Sequence, residues 1–121
     1  FDFGNSPFEY MIEKLKGQKI AFTTTNGTQA IAKSQGAKEI IIGSFLNLTA
    51  VTEYLKRGND SVLVVCAAWK GKVNLEDTLF AGALVENLKD HIEPDCDAPL
   101  AAQRLYNLAK KDMVDFLKDS S

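Results

Sequence analysis

The chain has 121 residues, of which 45% are hydrophobic and 25% charged, and its formal net charge is -2. These values are typical of one globular domain with a single apolar core, and they indicate no nucleic-acid surface. The apolar runs are far shorter than the about 20 residues of a membrane-spanning helix, so we expect no membrane association. Cys66 and Cys96 form no CxxC pair, which disfavours zinc and disulfide scaffolds and fits a reduced, cytoplasmic protein.

The first half of the chain alternates helical and strand-like patterns. A helix is predicted to begin at Ser6 or Pro7 and to end at Gly17, with an apolar stripe that starts at Phe8. The elements predicted after it are a strand over residues 19–23, a helix over 27–35, a buried strand over 38–42 and a helix over 47–57.

The second half begins with a strand predicted over residues 61–67, followed by a loop at Lys70-Gly-Lys72. Asn74 is predicted to cap a very apolar helix over 75–89, and a loop over 90–97 leads to a final helix over 98–118.

This alternation predicts the fold class α/β, with a mainly parallel sheet and helices on both faces in three layers. Three strands make a small sheet. We therefore expect residues 1–121 to be a single α/β domain that belongs to a larger protein.

The segment Thr23-Thr-Thr-Asn-Gly-Thr28 is the strongest candidate for ligand binding. It lies between a predicted strand and a predicted helix, where unpaired backbone N–H groups and the positive end of the helix dipole favour an anion. Gly27 allows close approach of a ligand, and the threonine hydroxyls add hydrogen bonds. Helix capping without any ligand explains the same residues about equally well.

All three predicted strands end in polar or small residues. The first ends at the threonine-rich turn, the second at Gly43-Ser-Phe-Leu-Asn47, and the third at Ala67-Ala-Trp-Lys-Gly-Lys72. Because ligands bind beyond the carboxyl ends of parallel strands, these ends are expected to converge on one anion site.

Glu76 and Asp77 begin the apolar helix, in the sequence Asn74-Leu-Glu-Asp77. Two adjacent carboxylates beside an anion site could bind Mg²⁺, which would neutralise charge on a transferring phosphoryl group. The alternative is that Asn74 and Asp77 form a capping box, which such a spacing more often signifies.

Taken together, six segments in this order resemble the 2-phosphosulfolactate phosphatase family. They are Gly4-Asn-Ser-Pro-Phe-Glu-Tyr10, Thr23-Thr-Thr-Asn-Gly-Thr28, Gly43-Ser-Phe-Leu-Asn47, Cys66-Ala-Ala-Trp-Lys-Gly71, Leu75-Glu-Asp-Thr-Leu79 and Ala81-Gly-Ala83. The resemblance runs from Phe1 to about Leu88, and Ala68 stands where we would expect glycine.

The resemblance implies a Mg²⁺-dependent phosphoric monoester hydrolase that converts 2-phosphosulfolactate to sulfolactate on the route to coenzyme M. It also implies a protein nearly twice as long, of which this chain is the C-terminal portion. The matching positions for a small phosphorylated or sulfonated acid are Asn5, Ser6, Thr24, Thr25, Asn26, Gly27, Thr28, Ser44 and Asn47. Glu76 and Asp77 are the expected catalytic and metal-binding residues.

A second hypothesis is a non-catalytic module that binds anions or associates with another subunit and lacks the other half of a site. A partial chain would expose apolar surface, so the sequence also leaves a homo-oligomer open.

Overall fold

The computed structural model describes residues 3–4 and 6–120. In this part of the chain, the α-helices are α1 (Thr25–Lys33), α2 (Leu48–Leu55), α3 (Leu75–Leu88), α4 (Asp97–Ala109) and α5 (Met113–Leu117). Short 3₁₀ helices cover Pro7–Tyr10, Glu13–Leu15 and Phe45–Asn47. The described helices are too short or too polar to cross a lipid bilayer.

The core lies where α3 packs against α4. The side chains of α3 are apolar on most of its circumference, and Leu79, Ala83 and Leu88 are at most 2% exposed. Gly82 allows the closest approach, because a Cβ built there would overlap the carbonyl group of Ala102 in α4. Burial on nearly all sides explains why this segment forms the longest helix, since packing stabilises helices more than propensity does.

A polar cluster also links the two helices. The Glu86 carboxylate in α3 accepts hydrogen bonds from the side chains of Gln103 and Asn107 in α4, at 2.8 and 3.0 Å. Lys89 donates to the same carboxylate over 3.0 Å. These bonds lower the pKa of Glu86 to about 2, the Asn107 bond contributing most.

Two predicted helices are wrong in their extent. The helix expected from Ser6 or Pro7 to Gly17 is replaced by two 3₁₀ turns, and Phe8 and Met11 remain exposed. A short helix is marginal when its apolar stripe has nothing to pack against, which explains the loss. The final helix breaks after α4, because the Asp112 carboxylate accepts the N–H of Asp115 over 3.0 Å and caps α5.

The segments expected to form strands, residues 19–23, 38–42 and 61–67, contain neither helix nor assigned strand. Across the described residues, the one β-type pairing is an isolated antiparallel bridge between Trp69 and Lys72. The parallel sheet and the three-layer α/β/α fold therefore stay predictions.

A tight turn joins Trp69 to Lys72. Their backbones exchange two hydrogen bonds, of 3.1 and 2.9 Å, across Lys70 and Gly71, whose φ angles are 50° and 72°. Positive φ at both central residues is the signature of a type I′ turn. The Lys70 ammonium lies 4.2 Å from the centre of the Trp69 ring, within range of a cation–π interaction.

Candidate functional site

A cleft of about 1190 Å³ runs along the extended segments and collects much of the predicted site. The predicted site residues that line it are Thr24, Gly27, Thr28, Ser44, Glu76 and Asp77. They come from the start of α1, the turn before α2 and the start of α3. The cleft therefore places the N-terminus of α1 and two carboxylates around one volume.

The threonine-rich turn caps the N-terminus of α1. Thr24 Oγ1 accepts the N–H of Gly27 over 3.1 Å, and Thr28 Oγ1 accepts the N–H of Thr24 over 3.2 Å. The Thr28 hydroxyl also lies 3.0 Å from that of Thr23. Both capping hydroxyls thus serve the turn itself. A Cβ at Gly27 would lie 2.7 Å from Thr24 Oγ1, so glycine is needed for this cap.

The cap leaves the N–H groups of Thr25 and Asn26 at the first turn of α1. Neither donates a hydrogen bond to any part of the chain that the structure describes. Unpaired N–H groups at the positive end of a helix dipole favour an anion. Neither residue is among those that line the cleft.

Asn47 holds the turn before α2 together. Its Oδ1 accepts the N–H of Ser44 over 2.7 Å, and its Nδ2 donates to the carbonyl of Ile42 over 3.0 Å. Asn47 faces a separate small cleft of about 280 Å³, beside Val51 and Tyr54. The structure therefore gives Asn47 a supporting role and leaves Ser44 at the main cleft.

Asp77 connects α3 to the end of the third extended segment. The N–H of Ala68 donates to its Oδ2 over 2.8 Å, while Asn74 Oδ1 accepts the N–H of Asp77 over 3.2 Å. The prediction that Asn74 caps the N-terminus of α3 is therefore confirmed. Asp77 does not close a capping box, because its carboxylate points to Ala68 instead.

The donor set at this end of the cleft consists of carboxylates. Glu76 is exposed, and its side chain makes no hydrogen bond with the described residues. No group of three His, Cys, Asp or Glu side chains suited to a metal occurs within residues 3–4 and 6–120. One or two carboxylates, completed by water and phosphate oxygens, are nevertheless a usual ligand set for Mg²⁺.

Cys66 lies beside this carboxylate, just before Ala68. Cys66 is exposed, yet partial desolvation by its surroundings raises the pKa of its thiol, and the negative charge of Asp77 raises it further. Since the thiolate is the reactive form, this environment disfavours a nucleophilic role for Cys66.

Comparison with known proteins identifies the family. A sequence model described as 2-phosphosulpholactate phosphatase matches residues 1–121. The chain belongs to this family. No solved structure matches it.

Relatives in the 2-phosphosulfolactate phosphatase family share a third to a half of the aligned residues. A protein of Thermotoga petrophila is 47% identical over 121 residues, 100% of this chain and 52% of its own length. One from Caldanaerobacter subterraneus is 43% identical over 120 residues, 98% of this chain and 49% of its own length. One from Synechococcus is 36% identical over 123 residues, 100% of this chain and 51% of its own length. Each is named "Probable 2-phosphosulfolactate phosphatase".

The chain spans about half the length of these relatives. The expectation that this chain is the C-terminal portion of a family member is wrong, because the part of the relatives that it matches is not their C-terminal part.

The remaining predicted residues lie away from the cleft or outside the described part. Ser6 precedes the 3₁₀ turn Pro7–Tyr10 and does not line the cleft. Asn5 lies outside the described residues. The cleft therefore gives no support to a substrate-binding role for these two residues.

Sequence reasoning missed two contributors to the site. The Ala68 N–H orients Asp77 across nine positions of sequence, a relationship that no local pattern signals. Phe80 lines the cleft one turn beyond Asp77 and packs edge-on against Phe45 with ring centres 5.7 Å apart. A Cβ at Gly43 would overlap the Phe80 ring, which explains the glycine before Ser44.

Proposed function

We propose that a polypeptide of the relatives' full length that contains this chain hydrolyses 2-phosphosulfolactate to sulfolactate and phosphate, with Mg²⁺ as cofactor. The names of the relatives support this substrate. The observation that carries the proposal is the cleft shared by the start of α1 and the carboxylates of Glu76 and Asp77. The turn that begins α1 and the Ser44 hydroxyl lie at the same cleft as two carboxylates, a combination suited to a phosphate group and a cation.

The substrate's anionic groups would bind at the unpaired N–H groups of Thr25 and Asn26 and at the Ser44 hydroxyl, which donates only a long hydrogen bond of 3.5 Å to Asn47 Oδ1. The N–H groups of Thr25 and Asn26 and the hydroxyl of Ser44 suit phosphate or sulfonate oxygens. Fixed donors of this kind stabilise charge that develops on the phosphoryl oxygens without reorganising during the reaction. Thr24, Gly27 and Thr28 would act by holding the turn in shape.

Asp77, with Glu76, would hold the metal ion. The Ala68 N–H occupies one Asp77 oxygen and fixes the carboxylate, so the other oxygen is left for a ligand. When bound, Mg²⁺ would neutralise charge on the transferring phosphoryl group. Water adds to phosphorus, the ester P–O bond breaks, and the departing oxygen of sulfolactate takes a proton.

A place for sulfolactate in coenzyme M synthesis, a cytoplasmic location and a homo-oligomer remain predictions from the sequence.

The test is phosphate release from 2-phosphosulfolactate by the full-length protein, with and without Mg²⁺. Asp77→Asn is the informative variant, because the amide oxygen can still accept the Ala68 N–H while the negative charge is lost. We expect its Mg²⁺-dependent turnover to fall at least about 100-fold, in the range seen when one charge-stabilising group is removed. Asp95→Asn, an exposed carboxylate in the loop before α4, is the matched control.

Unchanged turnover in Asp77→Asn would remove this residue from the mechanism. If the unaltered full-length protein binds the substrate without releasing phosphate, the non-catalytic anion-binding module becomes the better account.

A further inference from the structure

The extended segments at residues 38–43 and 61–67 expose side chains that are normally buried. Consecutive residues in both are apolar, a pattern typical of strands covered on both faces. Here, however, solvent reaches them: Ile42 is 63% and Leu63 86% exposed. The other large apolar residues exposed in these segments are Ile40, Ile41, Val62, Val64 and Val65.

The backbones of these segments also have no partner strand. Within the described part of the chain, no backbone hydrogen bond joins either segment to another segment. They are nevertheless tied together at one end, where Lys38 Nζ lies 2.8 Å from an Asp60 carboxylate oxygen. At the other end, side chains hold the Ile42 carbonyl and the Ala68 N–H. Two extended segments are therefore anchored at both ends and unpaired between them.

The cleft beside these segments is slightly larger than a typical pocket for a small molecule. Pockets for small molecules measure about 300–1,000 Å³, whereas this cleft measures about 1190 Å³. Polar residues line the cleft at the start of the segments, at Lys38, Glu39 and Ser61, and beyond their ends, at Ser44 and Asp77, while the middle of each segment contributes apolar side chains. Apolar walls with unpaired backbone N–H and C=O groups match another polypeptide strand.

We propose that extended, apolar segments from the half of the family polypeptide that this chain does not match fill the body of the cleft. They pair with residues 38–43 and 61–67 through backbone hydrogen bonds and cover the exposed isoleucines and valines. The comparisons supply the occupant, because each relative carries about as much polypeptide again in the same chain. Covalent linkage gives that half a high effective concentration at the cleft, which favours it over a second copy.

Hydrogen exchange of backbone amides in the full-length protein tests this pairing without reference to catalysis. We expect residues 38–43 and 61–67 to exchange at least about 100-fold slower there than in the 121-residue chain. Amides of α3 give the slow reference and the loop before α4 the fast one. Exchange in the full-length protein as fast as in that loop would overturn the proposal.

A substitution gives a second, independent readout. Leu63→Asp places a charge on a proposed covered face at a side chain that is 86% exposed here, and Val114→Asp is its control on the exposed surface of α5, where Val114 is 85% exposed. We expect Leu63→Asp to lower the Tm of the full-length protein by about 10 °C or more and Val114→Asp to change it little. Equal, small shifts for both variants would contradict the pairing.

The 121-residue chain alone distinguishes the second-copy alternative. If its residues 38–43 and 61–67 become protected as concentration rises, and sedimentation shows a dimer, then a second copy fills the cleft and the proposal is wrong. A monomer with fast exchange in these segments supports it.

Discussion

The backbone N–H of Ala68 donates to Oδ2 of Asp77 over 2.8 Å, and Ala68 makes this contact from a left-handed conformation with φ of 64°. Left-handed backbone is unfavourable for a residue with a Cβ. The chain thus keeps a strained residue next to its best candidate metal ligand. Sequence comparison by motif had suggested glycine at this position, and the φ angle gives the physical reason.

Replacing Ala68 with glycine is expected to increase the free energy of unfolding by up to about 1 kcal/mol. Relief of the left-handed conformation is worth roughly 1–2 kcal/mol, partly offset by the greater freedom of glycine in the unfolded chain. Ala67→Gly is the matched control, because Ala67 has no positive φ to relieve and should lose about 0.5–1 kcal/mol. Urea unfolding measures both. Equal destabilisation by the two variants would show that strain at Ala68 is not significant.

The contact between α3 and α4 predicts a severe effect at Gly82. A methyl group there would overlap the Ala102 carbonyl and crowd the Tyr106 Cβ, so Gly82→Ala should destabilise the protein by about 1–3 kcal/mol. Gly36→Ala, where a Cβ would meet nothing within 4 Å, should change stability by less than about 1 kcal/mol. Denaturant midpoints provide the comparison, and a harmless Gly82→Ala would mean that the helices separate readily.

Glu86 is expected to make the free energy of unfolding depend on pH in the acidic range. Its pKa is about 2 in the folded protein against an ordinary value of 4.5, so the folded state binds fewer protons between these values than the unfolded state. The stabilisation is therefore complete above about pH 4.5 and is lost as the pH falls towards about 2. The difference in unfolding free energy between the unaltered chain and Glu86→Gln should shrink over this range.

Glu53→Gln provides the control for this experiment. Glu53 also pairs with a lysine three residues on, at 3.0 Å, but accepts no amide hydrogen bond from the described residues. Glu53→Gln therefore removes a lysine pair alone, without the amide hydrogen bonds that Glu86 accepts. A Glu86→Gln effect that stays constant down to about pH 2 would contradict the assigned network.

The reactivity of Cys66 reports on the charge of Asp77. Partial desolvation is the main cause of its raised pKa and Asp77 the second, so Asp77→Asn should increase the thiolate fraction at mildly alkaline pH. We expect a severalfold faster reaction of Cys66 with a thiol reagent, below about tenfold because the desolvation remains. Cys96 serves as the internal control in the same molecule. An unchanged ratio of the two rates would place the charge of Asp77 out of reach of Cys66.

The helices that sequence predicted well are those whose signals are local. α3 begins after Asn74 as expected and ends at Leu88, one residue from the predicted end, because a cap and a continuous apolar run both define it. The long final helix was wrong, since Asp112 offered the backbone an alternative that the apolar spacing alone did not reveal.

Long-range relationships could not be predicted in the same way. The Asp77 carboxylate was expected to serve its own helix or a metal, but its choice of Ala68 depends on how the third extended segment meets α3. The apolar patterns at residues 38–42 and 61–67 indicate strands that must be covered by other residues. The patterns do not indicate which residues cover them.

The type I′ turn holds Lys70 over Trp69, so the fluorescence of Trp69 can report on this part of the chain. Trp69 is the single tryptophan, is 42% exposed, and follows directly after Ala68. The fluorescence of its indole ring therefore depends on the ammonium group above the ring and on the surrounding solvent. Trp69 lies one residue from the hydrogen bond that orients Asp77. Titration with Mg²⁺ or a sulfonated acid can be followed at this position without attaching a dye.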